Sequence, residues 1–334
     1  MLEINDLKIS IGVHQIVSIE HLSIPAGRRL GLVGESGSGK TMTAMSIIGL
    51  LPREAVVTGS IKFQGVEMVN RSERNLSKLR GSEIGTIFQD PLRALNPTMR
   101  VGKQVGEALR LHNTVPKKRV KQRTIELLDQ VQLPDPETLA RRYPHQLSGG
   151  QRQRVLIAMA IACDPKLLIA DEPTTALDVT VQKEILELLA RLSDERDMAV
   201  LFVSHDLGVI QAISAHVAVL YGGILVETGP TDQIVRSPHH RYTEALVSVN
   251  PGHPEDITAA LGRPLVTIKG SVPPLGSFLP GCRFRGRCPH EVERCAEPPP
   301  ISVATHEHTF RCWNPLDSAS SLPSDDAELA AGLQ

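Results

Sequence analysis

Eight residues, Gly34-Glu35-Ser36-Gly37-Ser38-Gly39-Lys40-Thr41, leave this chain few folds to choose from. They lie between a short apolar run, Leu30 to Val33, and a stretch from Thr41 to Leu51 with helical spacing that Pro52 ends. A buried strand, a glycine-rich turn and a helix N-terminus in series make backbone N–H groups converge where a phosphate can sit. In the pattern G-x-x-x-x-G-K-[ST], the lysine reaches the β/γ oxygens and the last hydroxyl ligates Mg²⁺. Gly34, Glu35, Ser36, Gly37, Ser38, Gly39, Lys40 and Thr41 are therefore the expected contacts of ATP, with Thr41 also on Mg²⁺.

A second feature supports nucleotide chemistry. Leu167-Leu168-Ile169-Ala170 reads as a buried strand that exits into Asp171 and Glu172. Carboxylates at the end of a parallel strand face the ligand crevice. Asp171 can hold hydrated Mg²⁺ and Glu172 can polarise an attacking water, because phosphoryl transfer needs mainly positioning and charge neutralisation.

Alternating apolar residues from Leu2 to Ile24 read as antiparallel strands. Strand patterns return at Ala199 to Val203 and Val217 to Tyr221, alternating with helices such as Val181 to Arg191. The segment from about Asp90 to Gln146 is charged and helical in period, notably Val120 to Val131. It reads as a helical subdomain inserted into an α/β core with a parallel sheet. The apolar run Val155 to Cys163 reads as a helix with Cys163 in the core.

The charges nearly cancel, 36 Lys and Arg against 37 Asp and Glu, so no overall field draws the chain to nucleic acid or anionic lipid. The longest apolar stretch, Val155 to Ala170, is broken by Asp164, Pro165 and Lys166, and no membrane-spanning helix is expected. The N-terminus has no signal-peptide pattern, which points to a reducing cytosol.

Leu147-Ser148-Gly149-Gly150-Gln151 matches the signature sequence of ATP-binding-cassette (ABC) transporter ATPases, and the chain resembles that family. The resemblance implies a P-loop NTPase cassette: a RecA-like core, an antiparallel β subdomain and an inserted helical subdomain. It also implies that two cassettes face head to tail, so that Ser148, Gly150 and Gln151 of one, with Asp178 at the seam, reach the ATP of the other. Gln89 takes the place of the glutamine that senses Mg²⁺ and the attacking water, and His205 that of the switch histidine on the γ-phosphate. With Glu172 these two form the expected catalytic set. One position departs from the family: Ile11 stands where an aromatic usually stacks on adenine, so apolar contact survives without stacking.

Two further stretches resemble the dipeptide and oligopeptide importer branch: Phe88-Gln89-Asp90-Pro91 leading to Leu95-Asn96-Pro97, and Ser237-Pro238-His239-His240-Arg241-Tyr242-Thr243. The resemblance implies two permease subunits, a second homologous ATPase or a homodimer, and an extracytoplasmic solute-binding protein. The chain would then sit on the cytoplasmic face of the bacterial inner membrane. Nickel or glutathione import, or a non-transport cassette, are the alternatives.

Beyond about Asn250 prolines are frequent, periodicity fades, and Cys282, Cys288, Cys295 and Cys312 are spaced C-x5-C-x6-C-x16-C. Four thiolates can hold an iron–sulfur cluster or Zn²⁺; the resemblance favours [4Fe-4S], and disulfides are the third option. The expected domains are a cassette over 1–250, its helical part over about 90–150, a four-cysteine module over 251–315 and a disordered tail over 316–334. The module has too few periodic apolar residues for a core of its own, so a metal or covalent staple is expected. The phosphate site is expected in a separately cored domain, independent of that module.

Overall fold

The computed structural model describes residues 1–175, 177–249 and 267–316, and the backbone of 322–323. The expected tail lies almost wholly outside the described residues, as do 251–266 at the start of the expected module.

Strands β1 (Leu2–Ile11) and β2 (His14–Ile24) form an antiparallel hairpin, followed by β3 (Arg29–Val33) and α1 (Lys40–Ile47). Next come β4 (Ala55–Phe63), β5 (Val66–Glu67), α2 (Glu73–Leu79) and β6 (Ile84–Ile87). The hairpin pairs Leu2 with Ile24 and Ile9 with Val17, and β4 adds to the other side of β1 with Ile4 opposite Ile61. Leu2 and Ile4, then Leu7 and Ile9, are buried; the two-residue period of the strand is interrupted once, where Asp6 has φ of 50° and the register with β4 shifts.

A helical layer follows: α3 (Pro91–Ala94), α4 (Val101–Leu111), α5 (Val120–Gln130), α6 (Pro136–Leu139) and α7 (Gly149–Ala160). Val101, Val105 and Leu109 on α4 meet Leu127, Leu128 and Val155 in one buried cluster, the i, i+4 stripe of an amphipathic helix. The chain then returns to the core through β7 (Leu167–Asp171), α8 (Val179–Glu195), β8 (Ala199–Ser204), α9 (Leu207–Ile213) and β9 (His216–Tyr221). Strands β6, β7, β8, β3 and β9 are mutually parallel, in the spatial order β9-β3-β8-β7-β6. Strands β7 and β8 are buried throughout, as expected for parallel strands covered on both faces.

The helix expected over Val155 to Cys163 is corrected at both ends. Helix α7 begins at Gly149 and stops at Ala160, and Cys163 is half-buried in the turn that follows. The reason is local: Asp164 has φ of 54° and precedes Pro165, whose ring disfavours helical geometry in its predecessor.

Strand β10 (Ile224–Pro230), α10 (Thr231–Arg236) and α11 (Arg241–Val249) complete the cassette, and β11 (Ser302–Thr305) and β12 (His308–Phe310) follow in the C-terminal module. The separate core expected for the phosphate domain is corrected here. Strand β12 pairs antiparallel with β10, placing Phe310 opposite Glu227. Phe284 is 1% exposed within the cassette's own cluster, and Phe278, Cys282 and Cys288 pack against it. A module too small to bury a core shares its neighbour's, and each of Phe284 and Phe310 contributes about 2–3 kcal/mol of apolar burial.

Glu227 fastens this seam. Its carboxylate accepts from the amides of His239 and His240 at 2.7 and 3.0 Å, and pairs with His308 Nε2 at 2.7 Å. Burial alone would raise its pKa, but these bonds outweigh it and hold the carboxyl below the usual range. A depressed carboxylate pKa gives stability that is present above the unfolded value, about 4.3, and is lost as pH falls through the lower folded value. We expect Glu227→Gln to cost about 2 kcal/mol at neutral pH, and the gap between variant and wild type in calorimetric unfolding to shrink on acidification.

Candidate functional site

The phosphate loop is shaped by what surrounds Gly34. A Cβ there would lie 2.1 Å from the carbonyl oxygen of Leu220, so only glycine lets β3 end against β9. Gly37 and Gly39 have φ of 81° and 102°, the left-handed region that glycine enters without strain. Lys40 is buried, and its Nζ donates to the carbonyl oxygens of Gly34 and Glu35 at 2.7 and 3.0 Å. Burial pulls the Lys40 pKa down, while Glu172, Asp171 and Glu35 oppose that shift. Ser38 Oγ is buried without a hydrogen-bond partner. A buried cation, an orphan hydroxyl and a close-packed turn suit a phosphate group.

At the ends of the neighbouring strands the chain brings its carboxylates to this loop. Thr41 Oγ1 donates to Asp171 Oδ1 at 3.3 Å. Burial raises the Asp171 pKa, the Thr41 bond lowers it, and the adjacent Glu172 raises it again. Two carboxylates beside a buried lysine suit a divalent cation, which would relieve their repulsion.

Glu172 is held from three sides. Gln89 Nε2 donates to Oε2 at 2.7 Å, Thr175 Oγ1 donates to the same oxygen at 3.0 Å, and His205 Nδ1 lies 3.4 Å from Oε1. Its backbone has φ of 47°, costly for a side chain with a Cβ, and its amide is pinned to the carbonyl of Val203 at 2.9 Å. The turn aims a side chain that a relaxed strand end would direct elsewhere. Gln89, Glu172 and His205 come from three separate strand exits, after β6, β7 and β8.

The remaining predicted residues lie apart from this cluster. Ser148 caps α7, accepting from the amide of Gln151 at 3.3 Å, while Gln151 Oε1 accepts from the amide of Ser148 at 3.2 Å. A Cβ at Gly150 would meet Val181 at 2.8 Å, so this glycine lets α7 approach α8. Asp178 caps α8 through the amide of Val181. Among the described residues no hydrogen bond joins Ser148, Gly150, Gln151 or Asp178 to the phosphate loop. A cavity of about 1640 Å³ lies between β2, β10 and the C-terminal module and shares no lining residue with the loop. Within the loop Ser36, Gly37 and Thr41 are exposed, while Gly34, Ser38 and Lys40 are buried.

A family model described as ABC transporter matches residues 17–175, and one described as the C-terminal region of oligopeptide/dipeptide transporters matches 226–295. The oligopeptide transport ATP-binding protein OppD of Salmonella typhimurium is 41% identical over 321 residues, covering 95% of this chain and 94% of that protein. This chain belongs to the ABC transporter ATPases, in their peptide-importer branch. A peptide import ATP-binding protein of Brucella abortus is 44% identical over 317 residues, covering 93% of this chain and 94% of that one. The cassette MJ0796, solved as a dimer in a post-hydrolysis state with ADP and Pi, superposes with a TM-score of 0.62 at 27% identity, covering 69% of this chain and 99% of that one. A likeness of the same TM-score, at 26% identity, links it to cbiO1 of Clostridium perfringens, covering 70% and 90% of the two chains.

Two residues at this cassette's phosphate loop escaped the sequence reading. Tyr242 is fully buried, and its hydroxyl accepts from the amide of Glu35 at 2.8 Å. Next to it His240, driven down to about 4 by burial, is neutral and accepts from the amide of Tyr242 through Nδ1 at 3.0 Å. Arg287 grips the Glu35 carboxylate with both arms at 3.1 Å. The stretch around Tyr242 was legible as a branch marker, but nothing in its spacing pointed to a loop more than 200 residues earlier.

The four cysteines are unpaired, and Cys282, Cys288 and Cys312 each have another of these thiols near enough to raise their pKa. Burial chiefly, with the other three thiols, pushes Cys282 to about 11; Cys288 is likewise near 11, and Cys312 is raised mainly by burial. Among the described residues the group of metal-ligating side chains with ligand atoms within 4.8 Å of one another is Glu227, His239 and His308, not the thiols. A single tetrahedral ion at about 2.3 Å from each sulfur needs closer thiols than that.

For the loop itself, Gly34→Ala is expected to weaken binding of a fluorescent ATP analogue at least tenfold. Its added carbon forces β3 away from Leu220, which a fluorescence titration of the full chain would detect.

Proposed function

We propose that this chain hydrolyses ATP to energise import of oligopeptides or dipeptides, using Glu172 as the group that polarises the attacking water. The observation that carries the reading is the convergence of Gln89, Thr175 and His205 on Glu172, beside the loop of Lys40 and Thr41. Family membership and the peptide-transport names of its relatives set the class of cargo.

The loop amides from Gly34 to Thr41 and Lys40 Nζ bind and orient the ATP phosphates, and Lys40 offsets charge on the β/γ oxygens. Thr41 and Asp171 are the residues that would hold Mg²⁺, which supplies charge neutralisation of the phosphates when bound. Glu172, 12% exposed, is screened enough from solvent to orient one water toward the γ-phosphate. His205, 55% exposed and at the rim, is suited to the γ-phosphate oxygens once a second cassette closes the site. Gln89 ties the start of the helical layer to Glu172, so movement there shifts the catalytic carboxylate. Ser148, Gly150, Gln151 and Asp178 serve the partner's ATP: their exposed helix N-termini suit phosphate and a dimer seam.

Cys282, Cys288, Cys295 and Cys312 are read as the ligands of a [4Fe-4S] cluster, and the staple lies where the module shares the cassette's core. The cluster supplies covalent bracing when bound. No described helix is long and apolar enough to cross a membrane. We read the chain as peripheral, on the cytoplasmic face of the inner membrane, held by two permease subunits. A second homologous ATPase and an extracytoplasmic binding protein complete the assembly.

Glu172→Gln in the assembled complex is expected to keep ATP binding and to lower steady-state hydrolysis at this site by about 100-fold or more. Unchanged turnover with this subunit as the sole active site would remove Glu172 from the role. For the module, anaerobically purified protein should carry iron and acid-labile sulfide near four each per chain. Stoichiometric zinc without sulfide would replace the cluster by a mononuclear site.

A further inference from the structure

Glu35 is an awkward neighbour for a triphosphate. It is the second residue of the phosphate loop, and an uncompensated carboxylate there repels the ligand's charge. The chain neutralises it from the far end of the sequence. Both terminal nitrogens of Arg287 donate to the Glu35 oxygens at 3.1 Å, and one also donates to Tyr221 Oη at 3.1 Å. Two backbone carbonyls of the C-terminal module, Lys269 and Gly270, accept from the same guanidinium. Its charge lies over the rings of Tyr221 and Phe284 at 5.7 and 5.8 Å, and its side chain is only 7% exposed.

An arginine so placed cannot swing freely, because a two-armed pair to a carboxylate is directional as well as strong. The backbone of Glu35 is gripped separately by Tyr242. The phosphate loop is thus clamped at one residue by two groups, one from α11 and one from the module. Arg287 immediately precedes Cys288, so whatever sets the Cys288 backbone sets the root of the clamp.

We propose that Arg287 is a positioning residue of the phosphate loop, through which the four-cysteine module tunes nucleotide affinity. This rests on reading Gly34 to Thr41 as the ATP phosphate site. The module then acts as a built-in regulator: when the segment around Cys288 loosens, Arg287 releases Glu35, whose charge and carbonyl move against the phosphates.

The test is titration of full-length protein with a fluorescent ATP analogue and Mg²⁺. Arg287→Gln should weaken binding about fivefold or more, and adding Glu35→Gln to it should bring no further loss, since the two side chains act as one unit. Arg285→Gln breaks an ion pair with Glu291 inside the same module and should leave affinity unchanged. Cys288→Ser should weaken binding in the wild-type background but not in the Arg287→Gln background. Unchanged affinity of Arg287→Gln, or additive losses in the double variant, would overturn the clamp. Equal effects of Cys288→Ser in both backgrounds would overturn the link to the module. Lys40→Ala separates the two readings: if it binds the analogue as well as wild type, the phosphate site itself is misassigned.

Discussion

The contact between Gly34 and the carbonyl of Leu220 decides where everything else at the site can go. Because no Cβ intervenes, β3 and β9 end side by side and the loop turns directly over their edge. The neighbouring parallel strands then present their own ends to the same crevice: Gln89 follows β6, Asp171 ends β7 and His205 follows β8. Parallel strands bring their C-terminal ends together, so residues more than a hundred positions apart in sequence meet beside one loop. A larger side chain at residue 34 would disturb the sheet and the site at once.

The charges in this crevice are arranged to need a ligand. Lys40 is desolvated, Asp171 is desolvated beside another carboxylate, and Ser38 keeps an unused hydroxyl. Each is a local cost, and together they favour a phosphate bearing Mg²⁺. Strain is stored at the same place, in the left-handed backbone of Glu172, where the surrounding hydrogen bonds hold it.

The C-terminal module extends that economy across the chain. It lacks the apolar surface for an independent core and joins the cassette's, through Phe284 in the shared cluster and β12 on the sheet. The same docking delivers Arg287 to the phosphate loop and His308 to Glu227. Structural attachment and access to the nucleotide site are therefore one set of contacts.

The sequence by itself determined the phosphate loop, the acidic strand exit and the alternation of strands and helices. Each depends on neighbours within a few residues: glycines that permit a turn, and an apolar run that must be buried. Helix ends were less legible, as Cys163 shows, because a proline acts on the residue before it and not on the apolar pattern. Only the tertiary structure decided that Gln89 and His205 touch Glu172, that Tyr242 and Arg287 hold Glu35, and that the cysteine module shares the cassette's core. Those contacts span 33 to 252 positions of sequence. Local propensity carries no information about which distant side chain will meet a carboxylate; the register of the parallel sheet and the packing of Phe284 supply it.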